Sequence, residues 1–428
     1  MKKSLLLLLA SAISLPACCT TKSLNAGTSS PSSEQTAGLL SDATRSRYVE
    51  AGNATAFRFL KEMHTGDNLV ISPLSLQFAL SMAANGAKGE TLSEITAFLG
   101  YGSEDIDTLN AYCRTLLKQL PAIDPEVSVR LTDALLVNRR FPLLRKFRQT
   151  VQENYYAAVD NMDFSHPSMV AARINDWVSR STDGFIDRVL EASEISDQAV
   201  AYIMNALYFK AKWAGSDYNP MFRERATQDE IFHLADGSTR KVQMMRNRRH
   251  HLYAEMDGYR VLALPYAGGE FFMYILLPDQ NDLDGLVSKL SAASWEKALS
   301  SLSQEAEVNL RLPKFDIENK FSLGRPLQSM GVKKAFERKE ADFQAMFQPK
   351  RQHYDYWISD VIQKSRISVA EWGTEAAAVT VIEMVGATSA GPSHQPRQVN
   401  FFADHPFVFL IGEVSTGAIL FEGTYTGK

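Results

Sequence analysis

Helical patterning fills the first half of this chain's folded part, strand patterning fills the second, and no linker separates them. Ser72-Pro73 supplies an N-cap and a proline at the first helical position, where its missing N–H costs nothing. Leu76, Ala79, Leu80 and Ala83 follow at helical spacing, and Gly86 is a stop. Thr91 and Glu94 predict a capping box ahead of Leu92, Ile95, Phe98 and Leu99, with Gly100 closing that helix. Residues 259–264, 271–277 and 308–312 predict strands. So do 407–411 and 418–421, on either side of a turn between Gly412 and Gly417. Helices first and strands later specify α+β, because βαβ folds alternate the two.

At 428 residues the length alone allows two or three domains. Apolar residues at 45% and charged residues at 22% are ordinary for a globular chain, which excludes collagen-like, coiled-coil and wholly disordered proteins. The net charge of −4 offers no basic field for nucleic acid. Three cysteines, Cys18, Cys19 and Cys113, cannot build a disulfide framework, so a packed core must hold the fold. Cys113 falls in a helical pattern with Leu109, Tyr112, Leu116, Leu117 and Leu120 and predicts a buried thiol.

The N-terminus is an address. Lys2-Lys3 precedes a short apolar run from Leu5, too short to span a bilayer. Leu15-Pro16-Ala17-Cys18 resembles a bacterial lipobox, in which the cysteine is acylated and becomes the mature N-terminus. The expected organisation is a lipoprotein signal peptide over 1–17, a lipidated flexible tether over 18–47 and a folded domain over 48–428. Cys19 follows the lipidation site with no aspartate and no acidic cluster after it, which points to the bacterial outer membrane, on its periplasmic or cell-surface face.

Residues 373–393, GTEAAAVTVIEMVGATSAGPS, do not fit one state. As a strand, one face carries Thr374, Ala376, Ala378, Thr380, Ile382 and Met384. The other carries Glu375, Ala377, Val379, Val381, Glu383 and Val385. With both glutamates on one face, the opposite face can be buried in full. Beyond Val385 the chain dissolves into Gly, Ala, Thr, Ser and Pro. Two readings stay open: a strand followed by a surface loop, or a loop that can become a strand.

Glu371 followed by Gly373-Thr374-Glu375-Ala376-Ala377-Ala378 resembles the hinge of the serpins, protease inhibitors with a mobile reactive-centre loop. Other landmarks occur in that family's order. They include Asn68-Leu69-Val70-Ile71-Ser72-Pro73-Leu74-Ser75, Asp163-Phe164, Ile174-Asn175 with Trp177-Val178, and Thr182 with Gly184. Asn205-Ala206-Leu207-Tyr208-Phe209-Lys210 with Trp213, Leu264-Pro265-Tyr266 and Ile275-Leu276-Leu277-Pro278 follow. Phe402-Ala403-Asp404-His405-Pro406-Phe407 and Thr416-Gly417-Ala418-Ile419-Leu420-Phe421 complete the set.

The resemblance implies one serpin-like domain with three β-sheets, eight or nine helices and an exposed reactive-centre loop. It implies a suicide-substrate inhibitor of serine proteases, with cysteine proteases as a second class, and neither an enzyme nor a cofactor or metal protein. In the family a protease cuts the loop and is esterified to it. The cut loop then inserts as a central strand and drags the protease into distortion. About a dozen residues gain ladder bonds, each worth on the order of 1 kcal/mol net. The hinge would be Gly373, Thr374, Glu375, Ala376, Ala377, Ala378 and Thr380, whose small side chains suit passage between parting strands. Glu371 would pair with Lys314 at the top of the sheet, and Ser72, Ser75 and Asn205 would close its opening point. Gln363 stands at the family's histidine position there; Gln can donate and accept but does not titrate.

Counting from the hinge glycine places the reactive bond at Ala387–Thr388. The span from Ala387 to Pro406 exceeds the family norm, so Val385 and Thr388 remain alternative sites. The small residues Val385-Gly386-Ala387 suit elastase-like or subtilisin-like serine proteases. The expected protein is a monomer, held at a membrane by its N-terminal lipid, and Arg397 is a further bond that trypsin could cut. The alternative is a non-inhibitory serpin-fold binding lipoprotein. Ser238-Thr239-Arg240-Lys241 and Ser294-Trp295-Glu296-Lys297 match S-x-x-K, but neither has the S-D-N or K-T-G companions of a serine–lysine hydrolase. Arg246, Arg248, Arg249 and His250 form a basic run, read as a solvated hairpin against a contact for polyanions or acidic proteases.

Overall fold

The computed structural model describes residues 41–102, 106–216, 218–348, 355–374 and 397–428. Among them lie helices α1 (Asp42–Met63), α2 (Pro73–Ala84), α3 (Gly89–Phe98), α4 (Ile106–Gln119), α5 (Arg145–Tyr155) and α6 (Pro167–Ser181). Helices α7 (Leu283–Lys289), α8 (Ala292–Ser301) and α9 (Gly324–Ser329) complete them. The strands are β1 (Leu69–Ile71), β2 (Val127–Asn138), β3 (Ala158–Met162), β4 (Ala201–Lys212), β5 (Gln228–His233) and β6 (Thr239–His250). Next come β7 (Leu252–Met256), β8 (Tyr259–Pro265), β9 (Phe271–Pro278), β10 (Ala306–Pro313) and β11 (Phe315–Ser322). The last are β12 (Asp360–Ala370), β13 (Gly373–Thr374), β14 (Arg397–Phe402), β15 (Phe407–Glu413) and β16 (Ile419–Tyr425).

These strands form three sheets. Sheet A runs β11-β12-β13-β4-β2-β3, sheet B runs β1-β16-β15-β9-β8-β7, and sheet C runs β14-β10-β6-β5. The architecture is the α+β, three-sheet arrangement that the sequence implies.

Helix α2 is the keystone between sheets A and B. It carries no charged residue, all twelve of its residues are buried, and it packs on β4 and β16. Such a helix is stable only when enclosed on every side. The Ser72 side chain caps it as expected, accepting from Ser75 N at 3.2 Å. On β2, β4 and β12, the residues facing α2 join the main core, with Val129, Leu135, Ile203, Leu207, Val361 and Ile367 among them. The alternate residues, Leu136, Tyr202, Met204 and Ile362, face the other way and pack under α6 with Ile174 and Val178. Around these residues sheet A is covered on both faces; higher up, toward Lys212 and Ala370, one face stays against the main core while the other carries the part-exposed Lys210, Lys364 and Arg366, so a strand added there would bury one face.

Three sequence readings are corrected. Helix α3 starts at Gly89, before Thr91, so Thr91 and Glu94 form no capping box. Thr91 Oγ1 instead accepts from Asp342 N at 2.9 Å, and Glu94 accepts from Lys333 N and Lys334 N. Both side chains serve long-range contacts that local spacing cannot reveal. Helix α1 begins at Asp42 with Ser41 as its cap, so 42–47, read as tether, are helical. Arg397 opens β14, pairs in register with Ala306 and forms an ion pair with Glu255, so its backbone is held in a sheet. Cys113 is a free, fully buried thiol, as its helical spacing predicts. No helix among the described residues is long and apolar enough to cross a membrane.

Candidate functional site

The seam between β4 and β12 is where sheet A is incomplete. The two strands pair in parallel only from Asp360↔Tyr202 to Lys364↔Ala206. Further along, β13 stands between them. Gly373 and Thr374 pair with Lys212 and Ala211 on one side, and with Ala370 and Val369 on the other. The chain leaves β12, turns at Glu371 and Trp372, and re-enters the sheet as a two-residue wedge.

Glycine is required at the point of entry. Gly373 has φ +148°, and a Cβ there would lie 2.1 Å from Ala211 O and 2.7 Å from Lys212 Cα. Thr374 is 1% exposed, and its hydroxyl shares a 2.6 Å hydrogen bond with the Tyr266 hydroxyl. Tyr266 stacks on Trp213 at 4.7 Å between ring centroids. Trp213 in turn binds the turn preceding the wedge: its Nε1 donates to Ala370 O at 2.8 Å and its N to Trp372 O at 3.1 Å.

Lys314 and Glu371, matched by sequence, are brought together with Nζ 2.9 Å from Oε2. The Thr227 hydroxyl donates to Glu371 Oε1 at 2.6 Å. Burial opposes ionisation of Glu371, but the Thr227 and Lys314 hydrogen bonds prevail and hold the carboxyl below its usual range. Thr227 has no sequence signal, since it lies in a loop far from both partners along the chain.

The lower cluster lies under the closed part of the seam. Ser72 Oγ donates to Leu420 O at 2.8 Å, and Ser72 N donates to Gln363 Oε1 at 3.0 Å. Gln363 Nε2 donates to Ser72 O at 2.8 Å and reaches Asn205 Oδ1 at 3.3 Å. Gln363 thus uses both ends of its amide, tying β12 to the start of α2 and to β4. Ser75 Oγ and Asn205 Nδ2 are buried without partners. The fold joins Ser72, Asn205 and Gln363 by hydrogen bonds, and Ser75 meets them through its N–H to Ser72 Oγ. Sequence reading missed Asp133, which stands opposite Asn205 and is the odd polar residue on an aliphatic strand face.

Glu375, Ala376, Ala377, Ala378, Thr380, Ala387, Thr388 and Cys18 lie outside the described residues. The basic run has partners within the chain, although Arg248 and His250 stay exposed. Arg246 pairs with Glu230, Arg248 with Glu307, and Arg249 Nη2 donates to Asn219 O at 3.0 Å. Among the described residues no group of three or more His, Cys, Asp or Glu side chains is placed to hold a metal ion.

The sequence matches the family model described as Serpin (serine protease inhibitor) over residues 50–427. The chain belongs to the serpin family. An uncharacterized serpin-like protein of Thermococcus kodakarensis is 35% identical over 390 residues, covering 90% of this chain and 87% of its own. The human leukocyte elastase inhibitor is 30% identical over 379 residues, covering 86% of this chain and 96% of its own. The solved structure of Tengpin, a thermophilic serpin in its native state, superposes with a TM-score of 0.78 at 27% identity. It covers 91% of this chain and 95% of that one. Serpins are generally protease inhibitors rather than enzymes, and this serpin shows their three-sheet fold among its described residues.

Proposed function

We propose that this serpin is a suicide-substrate inhibitor of serine proteases, in which loop cleavage is followed by covalent trapping and strand insertion. The observation that carries the reading is the wedge: β13 already occupies the entry to a seam closed by only five residue pairs. Insertion extends a strand that exists rather than nucleating a new one. Each further residue adds ladder bonds worth about 1 kcal/mol net, and every second one buries its side chain against the main core. The unbranched, uncharged run from Ala376 to Ala378 suits passage between β4 and β12. The reactive bond is assigned to Ala387–Thr388, and the target to elastase-like or subtilisin-like proteases with a small first pocket. The similarity to an elastase inhibitor is consistent with that class.

The protein is assigned as a bacterial lipoprotein acylated at Cys18, a monomer held at the outer membrane by its lipid. Cys18→Ala should then release it from the membrane fraction.

Mixing the protein with an elastase tests the reading. The expected result is an SDS-stable complex, a released peptide beginning at Thr388, and a cleaved form more heat-stable than the intact one. Cleavage with neither complex nor added stability would overturn it in favour of a non-inhibitory binding scaffold.

A further inference from the structure

The face of β2 toward the main core reads Val127, Val129, Leu131, Asp133, Leu135, Val137, aliphatic throughout except for one acid. Asp133 is 3% exposed, and its Oδ1 has no hydrogen-bond partner among the described residues. Opposite it in register on β4 stands Asn205, 2% exposed, whose Nδ2 also lacks a partner. Opposite Asn205 on β12 stands Gln363, already in contact with the Asn205 amide. The row Asp133, Asn205, Gln363 therefore crosses the seam on one face. Side chains directly opposed on antiparallel strands have Cβ atoms about 4.5–5.5 Å apart. A buried donor without an acceptor thus faces a buried acceptor without a donor.

Among the described residues no cation offsets the carboxyl. Helix α2 brings no titratable group, only hydroxyls such as Ser75 and Ser81. Helix α4 brings Cys113 and α5 brings Tyr155, and each is influenced by Asp133. Both are pushed up by their own burial and are neutral in the working range. Burial alone, with nothing opposing it, pushes Asp133 up to about 8.

We propose that Asp133 is a further positioning residue of the opening point: as the neutral acid it completes the row with Asn205, and opening the seam releases its proton. The proposal rests on the reading that the seam opens to admit a strand. In the closed sheet the acid keeps its proton up to about pH 8. Once water reaches it, its proton affinity falls toward that of an ordinary aspartate. Opening then releases one proton between about pH 4 and pH 8, so the opening equilibrium rises with pH by up to about tenfold per unit. Above about pH 8 both states are ionised and the curve is flat. Acid holds the seam shut and mild alkali loosens it, a dependence that Gln363 cannot supply.

The test uses the full chain and a fluorescent synthetic peptide with the sequence of residues 374–385. Uptake rates are measured from about pH 5 to pH 9 for the parent and for Asp133→Asn, an isosteric neutral change. Uptake by the parent should climb to about pH 8 and level off, while the variant loses most of that slope. Asp360, at the start of β12 and also pushed up by burial, accounts for what remains. Urea denaturation over the same range gives a second readout: the parent should lose stability relative to the variant as pH rises to about 8, then run parallel to it. Uptake with identical slopes in both proteins would overturn the role of Asp133 and leave the insertion reading intact. No uptake at any pH would overturn both. Denaturation profiles parallel throughout would show that Asp133 holds no extra proton, and would also overturn the proposal.

Discussion

Thr374→Arg strikes the residue that the wedge buries most completely. Thr374 is 1% exposed, pairs with Val369 and Ala211, and bonds Tyr266 at 2.6 Å. Among the described residues its side-chain partner is the Tyr266 hydroxyl and not a carboxylate, so a guanidinium there would be a buried charge without a counter-ion from them, costing several kcal/mol. The Tyr266 hydroxyl would lose its partner at a further cost of about 1–3 kcal/mol. Together these exceed what two strand residues contribute, so the wedge should leave the sheet. The same position must stay seated for any further residue to follow it into the sheet. If only about 3 kcal/mol of the cost reaches the insertion barrier, insertion slows by roughly a hundredfold. Deacylation of the protease ester is untouched, so the balance shifts from trapping to turnover. The assay is titration of an elastase, counting moles of serpin per mole of enzyme silenced, with SDS gels resolving complex from cleaved chain. Thr374→Ser, which keeps the hydroxyl, should behave like the parent. An arginine variant that still traps the protease at the parental stoichiometry would refute the seated-hinge argument.

Glu371→Lys should loosen the top of sheet A and promote polymers, because an open seam offers two unpaired strand edges to another molecule's loop. The double change Glu371→Lys with Lys314→Glu should restore much of the loss, and simple additivity in size-exclusion and denaturation data would show that the pair carries no coupling. Since the Glu371 carboxyl is held below its usual range, its contribution is full above about pH 4.3 and disappears as pH falls through its folded value. His251 is buried, bonded to Asn247 and lowered to about 4 by burial and by Arg249 and His250. Unfolding therefore takes up a proton as pH falls from 6.5 to about 4, lowering stability by about 1.4 kcal/mol per unit, and His251→Gln should flatten that window in urea titrations. Trypsin should leave the bond after Arg397 intact in the native protein, because that residue is paired in β14; rapid cutting there, seen by mass spectrometry, would contradict the strand assignment.

The contact of Lys314 with Glu371 and that of Ser72 and Asn205 with Gln363 could be anticipated because each residue sits in a recognisable block of sequence. Strands 259–265, 271–278 and 407–413 were legible because their apolar runs end at turn signals. Helix α3 was not delimited correctly, because Thr91 and Glu94 satisfy backbone groups more than two hundred residues away. Local spacing carries no trace of such partners.

What the sequence determined by itself was kind, a mixed α+β chain with a glycine ahead of an alanine-rich run; its helices-first order did not hold, since β1 to β4 lie in the first half and α7 to α9 in the second. Kind and that glycine follow from periodicity and from backbone freedom, which are properties of neighbouring residues. What only the tertiary structure decided was state and environment. Gly373 and Thr374 already stand between β4 and β12, and Arg397 is paired in a sheet. Asp133 shows the difference most plainly. In the chain it is one acid in a strand; folded, it is a carboxyl with one oxygen unpaired among the described residues, opposite an amide nitrogen in the same state. Charge, proton affinity and partner are set by what surrounds a group in space, and that is fixed only when β2, β4 and β12 align across the seam.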